Sequence, residues 1–331
     1  MPDLTLDVYG CVVTVSSDWE AVLAAVRADF AWFETTPGAA AAVSVAIVQA
    51  PPDYDGMGDA VASFVTPRNV VYQTGTHTVV DYFGKAVSVL DRATGTLKVT
   101  GADAHLVHEA AYLFLLSRLG EHLDRIGLIR LHALALSGGG GAVAVMLPSG
   151  GGKSTLALRA LEDDAVRLLA EDTPLLDRAG IVHPFPLRIG INATDAERLP
   201  AESVRRIERM EFHPKLALDL DAFRASIDAC PRPLQHVVIG VRSLGRTASL
   251  ERLPRRAAVG PMLREAVIGV GVYQGMEFVL QQGLRDVAGK AGTAAIRTRC
   301  CGAGLRRARV WRLTLGRDHD ANWEALRPLL G

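Results

Sequence analysis

The sequence predicts a mixed α/β protein in which a small α+β module precedes a second domain built around a strand, a glycine-rich loop and a helix. Three observations support this fold class. Residues 4–100 contain short β-branched runs separated by glycine turns, which is typical of antiparallel strands. Residues 131–159 read as two strands, a glycine-rich loop and a helix. A further short strand, 166–170, ends in two adjacent acids.

The elements of the first module follow from these runs. Residues 4–17 predict one or two strands, and the apolar spacing between Trp19 and Phe30 predicts a helix. An apolar helix over about 103–125 closes the module. We therefore expect an α+β domain over 1–127, which binds substrate or a partner, and a second domain over 128–331. The remaining strands of the module are expected at 42–49, 69–74, 77–83, 86–91 and 96–100.

The second domain begins with a strand over Leu131–Leu136, a turn at Gly138–Gly141 and a buried strand over Ala142–Leu147. A helix starts near Ser154. Later segments predict further strands at 235–241 and 311–315 and arginine-rich loops at 252–256 and 306–312.

Composition limits the class of partner. The chain has 331 residues, of which 49% are hydrophobic and 22% charged, so it can bury two cores and is not a disordered chain. Lys plus Arg equals Asp plus Glu at 36 each, which argues against a nucleic-acid partner. The beginning of the sequence has no signal-peptide pattern, and proline and glycine interrupt its uncharged runs. We expect a cytoplasmic protein with no membrane partner, and a homo-oligomer is compatible with the sequence.

The charges are unevenly distributed along the chain. Residues 232–331 hold 17 Lys and Arg against 7 Asp and Glu, so the preceding part is acidic. Two interpretations stay open: solvated faces that differ in sign, or a positive surface that faces an anionic ligand.

The glycine-rich loop carries the main chemical signal. It matches the phosphate-binding pattern G-x-x-x-x-G-K-[ST] except that Leu147 replaces the first glycine. Glycines allow consecutive N–H groups to surround phosphate oxygens, and the helix N-terminus adds partial positive charge. Lys153 is expected to reach the β- and γ-phosphates, and the Ser154 hydroxyl to bind Mg²⁺. The residues predicted to bind the nucleotide are Ser149, Gly150, Gly151, Gly152, Lys153, Ser154 and Thr155.

The acid pair Glu171-Asp172 narrows the class of reaction. It follows the strand directly after the loop helix, about eighteen residues past Lys153. Two carboxylates beside a phosphate loop can divide two tasks, binding Mg²⁺ and accepting the proton of an attacking hydroxyl. We therefore expect phosphoryl transfer, with ATP and Mg²⁺ as cofactors.

These motifs resemble the catalytic domain of HPr kinase/phosphorylase and its kinase-only relatives, whose core is similar to that of phosphoenolpyruvate carboxykinase. The matching pieces are His132-Ala133, the run from Ser149 to Ser154, and Glu171-Asp172. The resemblance is strong over about residues 128–192 and implies a P-loop kinase domain of this type. It also implies that Asp172 is the catalytic base, that Lys153 acts in catalysis, and that His132 lies near the transferred phosphate. A core histidine at a strand start fits the His132 position equally well.

The resemblance also indicates the direction and substrate of the reaction. Thr155 stands where the bifunctional enzymes tend to have Glu, and residues 183–192 (HPFPLRIGIN) replace the stretch associated with phosphorolysis. A kinase-only enzyme is therefore expected. The first module looks similar to that of serine kinases encoded with lasso peptide and related peptide-modification pathways, which implies a serine in a precursor peptide as the acceptor.

Further cations and other function classes stay open. Arg188 is a candidate clamp for a substrate or phosphate group, and Lys215 and Arg242 are weaker candidates. A kinase for a small metabolite, or a nucleotide-gated peptide-binding protein without transfer, would carry the same loop. The second alternative predicts ATP binding without a phosphorylated product.

Overall fold

The computed structural model describes residues 3–38, 40–55, 57–148, 150–208, 214–269 and 284–331. Over these residues the protein is a mixed α/β structure with several β-sheets, as predicted. They divide into two compact units. The first unit contains the described residues up to Leu119 together with those in Pro200–Asp219, and the second contains Gly120–Leu199 and the described residues from Leu220 onward. The assignment of separate roles to residues 1–127 and 128–331 stays a prediction.

The first unit contains an eight-stranded sheet and a short helix. Its elements are β1 (Asp3–Val8), β2 (Cys11–Ser17), α1 (Glu20–Asp29), β3 (Val43–Gln49), β4 (Ala62–Val65), β5 (Val70–Thr74), β6 (His77–Asp81), β7 (Ala86–Asp91) and β8 (Thr96–Gly101). The strand order is β1-β2-β3-β8-β7-β6-β5-β4. Strands β5 to β8 form the predicted antiparallel meander. Strand β4, which the sequence did not predict, adds to it beside β5, whereas β3 pairs parallel with both β2 and β8.

Side-chain alternation and turn geometry explain these strands. Strand β2 buries every second residue from Cys11 to Ser17, the pattern of a sheet with one covered face. The turn between β1 and β2 places Tyr9 at φ 54° and Gly10 at φ 84°. Two consecutive positive φ values are typical of the tight hairpin turn that matches the twist of its strands.

Helix α2 (Ala104–Ile126) agrees closely with its predicted bounds. The next elements in the chain are β9 (Ile129–Arg130), β10 (Leu134–Ser137), β11 (Ala142–Met146), α3 (Lys153–Leu161), β12 (Arg167–Ala170), β13 (Leu175–Leu176), β14 (Ile181–His183), β15 (Ile189–Ile191) and α4 (Ala193–Ala196). Two antiparallel strands of the first unit follow, β16 (Val204–Ile207) and β17 (Lys215–Leu218). The chain continues with β18 (Arg232–Arg242), β19 (Ser249–Leu253), α5 (Val259–Leu263), a π-helix (Arg264–Gly269), α6 (Leu284–Arg307), β20 (Arg309–Leu315) and α7 (His319–Leu326).

A nine-stranded sheet organises the second unit. Its main path runs β12-β10-β11-β18-β14-β13-β9, with β20 beside β18 and β19 beside β20. Strands β11, β18 and β20 are parallel to one another. Their carboxyl ends therefore meet at one edge of the sheet, and the glycine-rich loop leaves β11 at that edge.

The core of the second unit lies against this sheet. All five residues of β11 are buried, which accounts for its uninterrupted apolar sequence. Cys300 and Cys301 of α6 are buried in the same cluster, where burial raises the pKa of their thiols to about 11 and about 12. The two thiols therefore act as small apolar packing groups.

Three predicted segments differ from the structure. The predicted strand over Leu131–Leu136 is interrupted, because the N–H groups of residues 131–133 bond to two separate segments of the chain, residues 172–174 and Glu265. The predicted arginine-rich loops are also wrong. The first overlaps the end of β19, and the second spans the end of α6 and much of β20, because arginines occupy exposed positions of regular elements.

Among the helices that the structure describes, none is sufficiently long and apolar to cross a membrane.

Candidate functional site

The glycine-rich loop joins β11 to α3. Glycine is needed at its positions for two different structural reasons, backbone conformation and lack of space. Gly150 has φ 72° and Gly152 has φ 106°, so both occupy the left-handed region that side chains disfavour. Gly151 is required by space, because a Cβ there would lie 2.7 Å from the carbonyl oxygen of Pro148. The loop therefore needs glycine at each of these three positions, and it ends at the first residue of α3. The predicted nucleotide-binding residue Ser149 lies outside the described residues.

Leu147, which replaces the first glycine of the motif, is accommodated by a glycine on the neighbouring strand. Leu147 is buried, and a Cβ added to Gly240 of β18 would lie 2.2 Å from Leu147 Cδ2. The leucine side chain thus fills the space that Gly240 leaves free. Its backbone carbonyl accepts a hydrogen bond of 3.0 Å from Lys153 Nζ. The departure from the motif therefore leaves the loop intact.

Lys153 lies at the first position of α3 with its side chain 6% exposed. Besides Leu147, its Nζ atom contacts His132 Nε2 at 2.8 Å and Asp172 Oδ1 at 3.4 Å. An ammonium group can be buried when it is paired and hydrogen-bonded, and these three partners meet that need. The three predicted catalytic residues, Asp172, His132 and Lys153, therefore lie in direct contact.

The two adjacent acids contact different partners. Glu171 accepts a hydrogen bond of 2.7 Å from the Ser154 hydroxyl. Asp172 contacts Lys153 and, at 3.1 Å, His132 Nε2, with 45% of its side chain exposed. Because the pair directly follows β12, the chain brings one carboxylate to the helix start and the other to the lysine. The two acids thus bond to different residues of the first turn of α3, Glu171 to Ser154 and Asp172 to Lys153.

His132 lies in the interruption between β9 and β10. Its N–H group bonds to the Glu265 carbonyl oxygen at 3.3 Å, and its ring Nδ1 lies 2.8 Å from Glu265 Oε2. The hydrogen bond with Asp172 raises the pKa of His132, burial and the Lys153 charge act against this, and the bond to Glu265 supports it. The ring thus lies between two carboxylates and an ammonium group.

Glu265 is the residue of this site that the sequence did not indicate. It is separated from His132 by 133 positions and lies in the π-helix that continues α5. A single acid in the run PMLREAVIG has no motif around it. The one local sign is structural, since π-helical turns occur frequently at functional sites.

The oxygen atoms of the predicted metal residues are of the kind that Mg²⁺ prefers, although they do not surround an ion by themselves. Among the described residues, no group of three or more His, Cys, Asp and Glu side chains is arranged to hold a metal ion. The predicted metal residues Ser154, Glu171 and Asp172 supply a hydroxyl and two carboxylates, all hard oxygen ligands. Mg²⁺ is commonly bound in this way, through one or two carboxylates with phosphate and water oxygens as its other ligands.

The remaining candidate residues lie in different elements of the structure. Arg242 ends β18, and a side-chain carbon on Gly152 would lie 3.5 Å from its Nη1 atom, so this exposed arginine is adjacent to the loop. Thr155 is half-buried in the first turn of α3. Arg188, half-buried, directly precedes β15, and its role as a clamp stays a prediction. Lys215 is exposed at the start of β17 in the first unit.

Comparisons with known proteins add no assignment. No protein-family model matches the chain, and a search of curated proteins finds no match.

Proposed function

We propose that the protein is an ATP- and Mg²⁺-dependent kinase that transfers the γ-phosphoryl group to a serine hydroxyl on a peptide or protein. One observation carries the proposal. A buried lysine at the head of the helix after a glycine-rich loop lies 3.4 Å from an exposed aspartate. Phosphoryl transfer needs a cation at the phosphates and an oxygen base at the acceptor, and Lys153 and Asp172 are suited to those tasks.

In the proposed mechanism, the N–H groups of the loop and the N-terminus of α3 bind the donor phosphates. Lys153 neutralises charge on the transferred group, and its contacts with Leu147 and His132 hold the ammonium in place before substrate arrives. Preorganised charge of this kind is the main contribution a protein makes to phosphoryl transfer.

Ser154 and Glu171, together with Asp172, are the residues that would hold Mg²⁺, which neutralises phosphate charge when bound. Asp172 accepts the proton of the acceptor hydroxyl. Its side chain is 45% exposed, so an incoming peptide can reach it, whereas Lys153 beside it is buried. The reaction forms the bond between the serine oxygen and phosphorus, breaks the bond between phosphorus and the leaving oxygen of ADP, and moves the serine proton to Asp172.

Support for the substrate class comes from the resemblance to kinase-only relatives of HPr kinase. Residues 183–192 and Thr155 depart from the bifunctional pattern, which favours transfer in one direction. The proposed acceptor is a serine of a ribosomally made precursor peptide, of the type found in lasso peptide pathways. Arg242 beside the loop provides a further cation for phosphate or peptide carboxylate.

The test is phosphate transfer from ATP labelled in its γ-phosphate. The wild type is incubated with Mg²⁺ and a library of serine peptides, a matched library with Ala for Ser, and a panel of small hydroxyl metabolites. Label on the serine library alone supports the proposal. Label on a metabolite alone supports the metabolite kinase, and nucleotide binding without any labelled product supports the binding protein.

A further inference from the structure

Glu265 contacts His132 at two points. Its backbone carbonyl accepts the His132 N–H at 3.3 Å, and its carboxylate oxygen Oε2 lies 2.8 Å from ring Nδ1. The side chain of Glu265 is 17% exposed, so little solvent competes for this bond. The two contacts fix both the backbone and the ring of His132.

The chemistry of the partners determines which ring nitrogen carries a hydrogen toward Glu265. A carboxylate only accepts hydrogen bonds, so Nδ1 must donate to it. The other nitrogen, Nε2, then faces Lys153 Nζ at 2.8 Å and Asp172 Oδ1 at 3.1 Å. Carboxylates orient functional histidines in this manner in many enzymes and metal sites.

Glu265 is itself held by a buried ion pair. The next residue, Ala266, accepts a hydrogen bond of 3.0 Å at its carbonyl from Arg297 Nη1. Arg297 of α6 also donates to both carboxylate oxygens of Asp124, at 3.0 Å and 2.6 Å. Both charged residues are buried, and through the Ala266 carbonyl the pair connects the π-helical turn to α2 and α6.

We infer that Glu265 is a positioning residue, which keeps the hydrogen of His132 on Nδ1 and directs Nε2 at Lys153 and Asp172. Its effect on phosphate transfer rests on the proposed function, whereas its effect on the ring can be measured without substrate.

The first experiment is two-dimensional proton–nitrogen NMR of the full chain with ¹⁵N-labelled histidine, with His132 assigned by its loss in His132→Asn. The wild type should show a protonated Nδ1 at every pH tested. In Glu265→Leu, a large share of His132 should have a bare Nδ1, because Nε2 can then carry the hydrogen and donate it to Asp172 Oδ1. A bare Nδ1 in the wild type, or an unchanged ring in Glu265→Leu, would overturn the inference.

Two variants control this measurement. Asp177→Asn alters another histidine–carboxylate contact of the same unit, in which His183 Nε2 lies 3.0 Å from Asp177 Oδ2. It should leave the His132 signals unchanged. Glu265→Gln keeps the size of the side chain and an oxygen acceptor, so it should retain more protonated Nδ1 than Glu265→Leu. Similar loss in Gln and Leu would count against the inference, since an accepting oxygen at this position would then not be what keeps the hydrogen on Nδ1.

The second experiment is a double-mutant cycle on phosphate transfer. Glu265→Leu should lower kcat by about 10- to 100-fold with little change in the KM for ATP, as loss of such an orienting partner does elsewhere. In the His132→Asn background the same substitution should cause no further loss, since Glu265 acts through His132. Additive losses would overturn the inference. If the wild type transfers no phosphate, the proposed function fails and the NMR experiment decides the inference alone.

Discussion

Glu171 and Asp172 are adjacent in the chain, yet their carboxylates contact different partners at the candidate site. Glu171 accepts from Ser154, whereas Asp172 lies against Lys153 and His132. A carboxylate that binds metal needs only its charge, but a base must also be able to take up a proton. The two acids are therefore expected to respond differently to the loss of charge.

Asp172→Asn keeps the size of the side chain and removes its ability to accept the serine proton. We expect phosphate transfer in a single turnover to fall by about 10²- to 10⁴-fold, the range for a lost general base. Binding of ATP with Mg²⁺ should change much less, because Ser154 and Glu171 remain to hold the metal. A transfer rate close to wild type would show that the base is another group.

Glu171→Gln should weaken Mg²⁺ binding more than it slows the transfer step. The amide still bonds to Ser154 but carries no charge for Mg²⁺, so the concentration of Mg²⁺ needed for half-maximal transfer should rise more than the saturated rate falls. Ser154→Ala provides the matched variant, since it removes the other proposed ligand from the same pair. A Mg²⁺ titration of both variants gives the answer, and unchanged curves would remove Ser154 and Glu171 from the metal site.

At the scale of elements, the pairing of Leu147 with Gly240 joins the loop to the central sheet. Strand β18 lies next to β11, and Gly240 leaves room for the leucine that replaces the first glycine of the motif. The loop geometry thus depends on a residue 93 positions further along the chain. Because the two residues interact only through side-chain packing, their interaction can be measured as a change in the free energy of unfolding.

Gly240→Ala places a Cβ 2.2 Å from Leu147 Cδ2, so it should destabilise the protein by about 1–3 kcal/mol, the cost of overpacking a filled core. In a Leu147→Gly background the same substitution should cost less than it does in the wild type, because the clash is removed. Chemical denaturation measures both, with Gly260→Ala as control, since a Cβ there meets nothing within 4 Å. Equal losses in the presence and absence of Leu147 would refute the pairing.

Local patterns account for the elements that the sequence predicted well. Strands β2 and β3 bury every second residue, and the glycine-rich loop is flanked by a buried strand and a helix, so short-range patterns suffice. The interruption at residues 131–133 has no such pattern. It arises because His132 bonds to Glu265 and Ala133 bonds to Asp172, which are distant in sequence. Sequence analysis thus missed the break and Glu265 for the same physical reason.

At the scale of the whole molecule, the residues of the candidate site all belong to the second unit. His132, Lys153, Asp172 and Glu265 lie in its first and later segments, so the site requires the long-range folding of that unit. In the sheet of this unit, the buried Asp228 connects two strands. Its carboxylate accepts hydrogen bonds from Ser137 of β10 and Arg232 of β18. The acid stability of the unit should reflect this contact.

Burial opposes ionisation of Asp228, but Arg232, Ser137 and the Cys230 N–H together lower its pKa below the ordinary 3.8. A carboxylate with a lowered folded-state pKa contributes stability above its unfolded pKa, and this contribution disappears as the pH falls through the folded value. Asp228→Asn should therefore destabilise the protein at pH 7 by about 1.5–3 kcal/mol and flatten the fall in stability below about pH 4. Urea titrations across pH test this, with the exposed Asp221→Asn as control. If the stability of Asp228→Asn fell at low pH as steeply as that of the wild type, the proposed role of the Asp228 carboxylate would be wrong.

The central claim, that the loop binds a nucleoside triphosphate through Lys153, is tested most directly by thermal unfolding with and without Mg²⁺-ATP. Ligand at 100 times its Kd stabilises a folded protein by about 2.7 kcal/mol. We predict a clear rise in Tm for the wild type and for Lys85→Ala, whose lysine is exposed in the first unit. Lys153→Met, which keeps the apolar stem without the charge, should show little or no rise. A wild type that Mg²⁺-ATP does not stabilise, or a Lys153→Met variant stabilised as strongly as wild type, would contradict the claim.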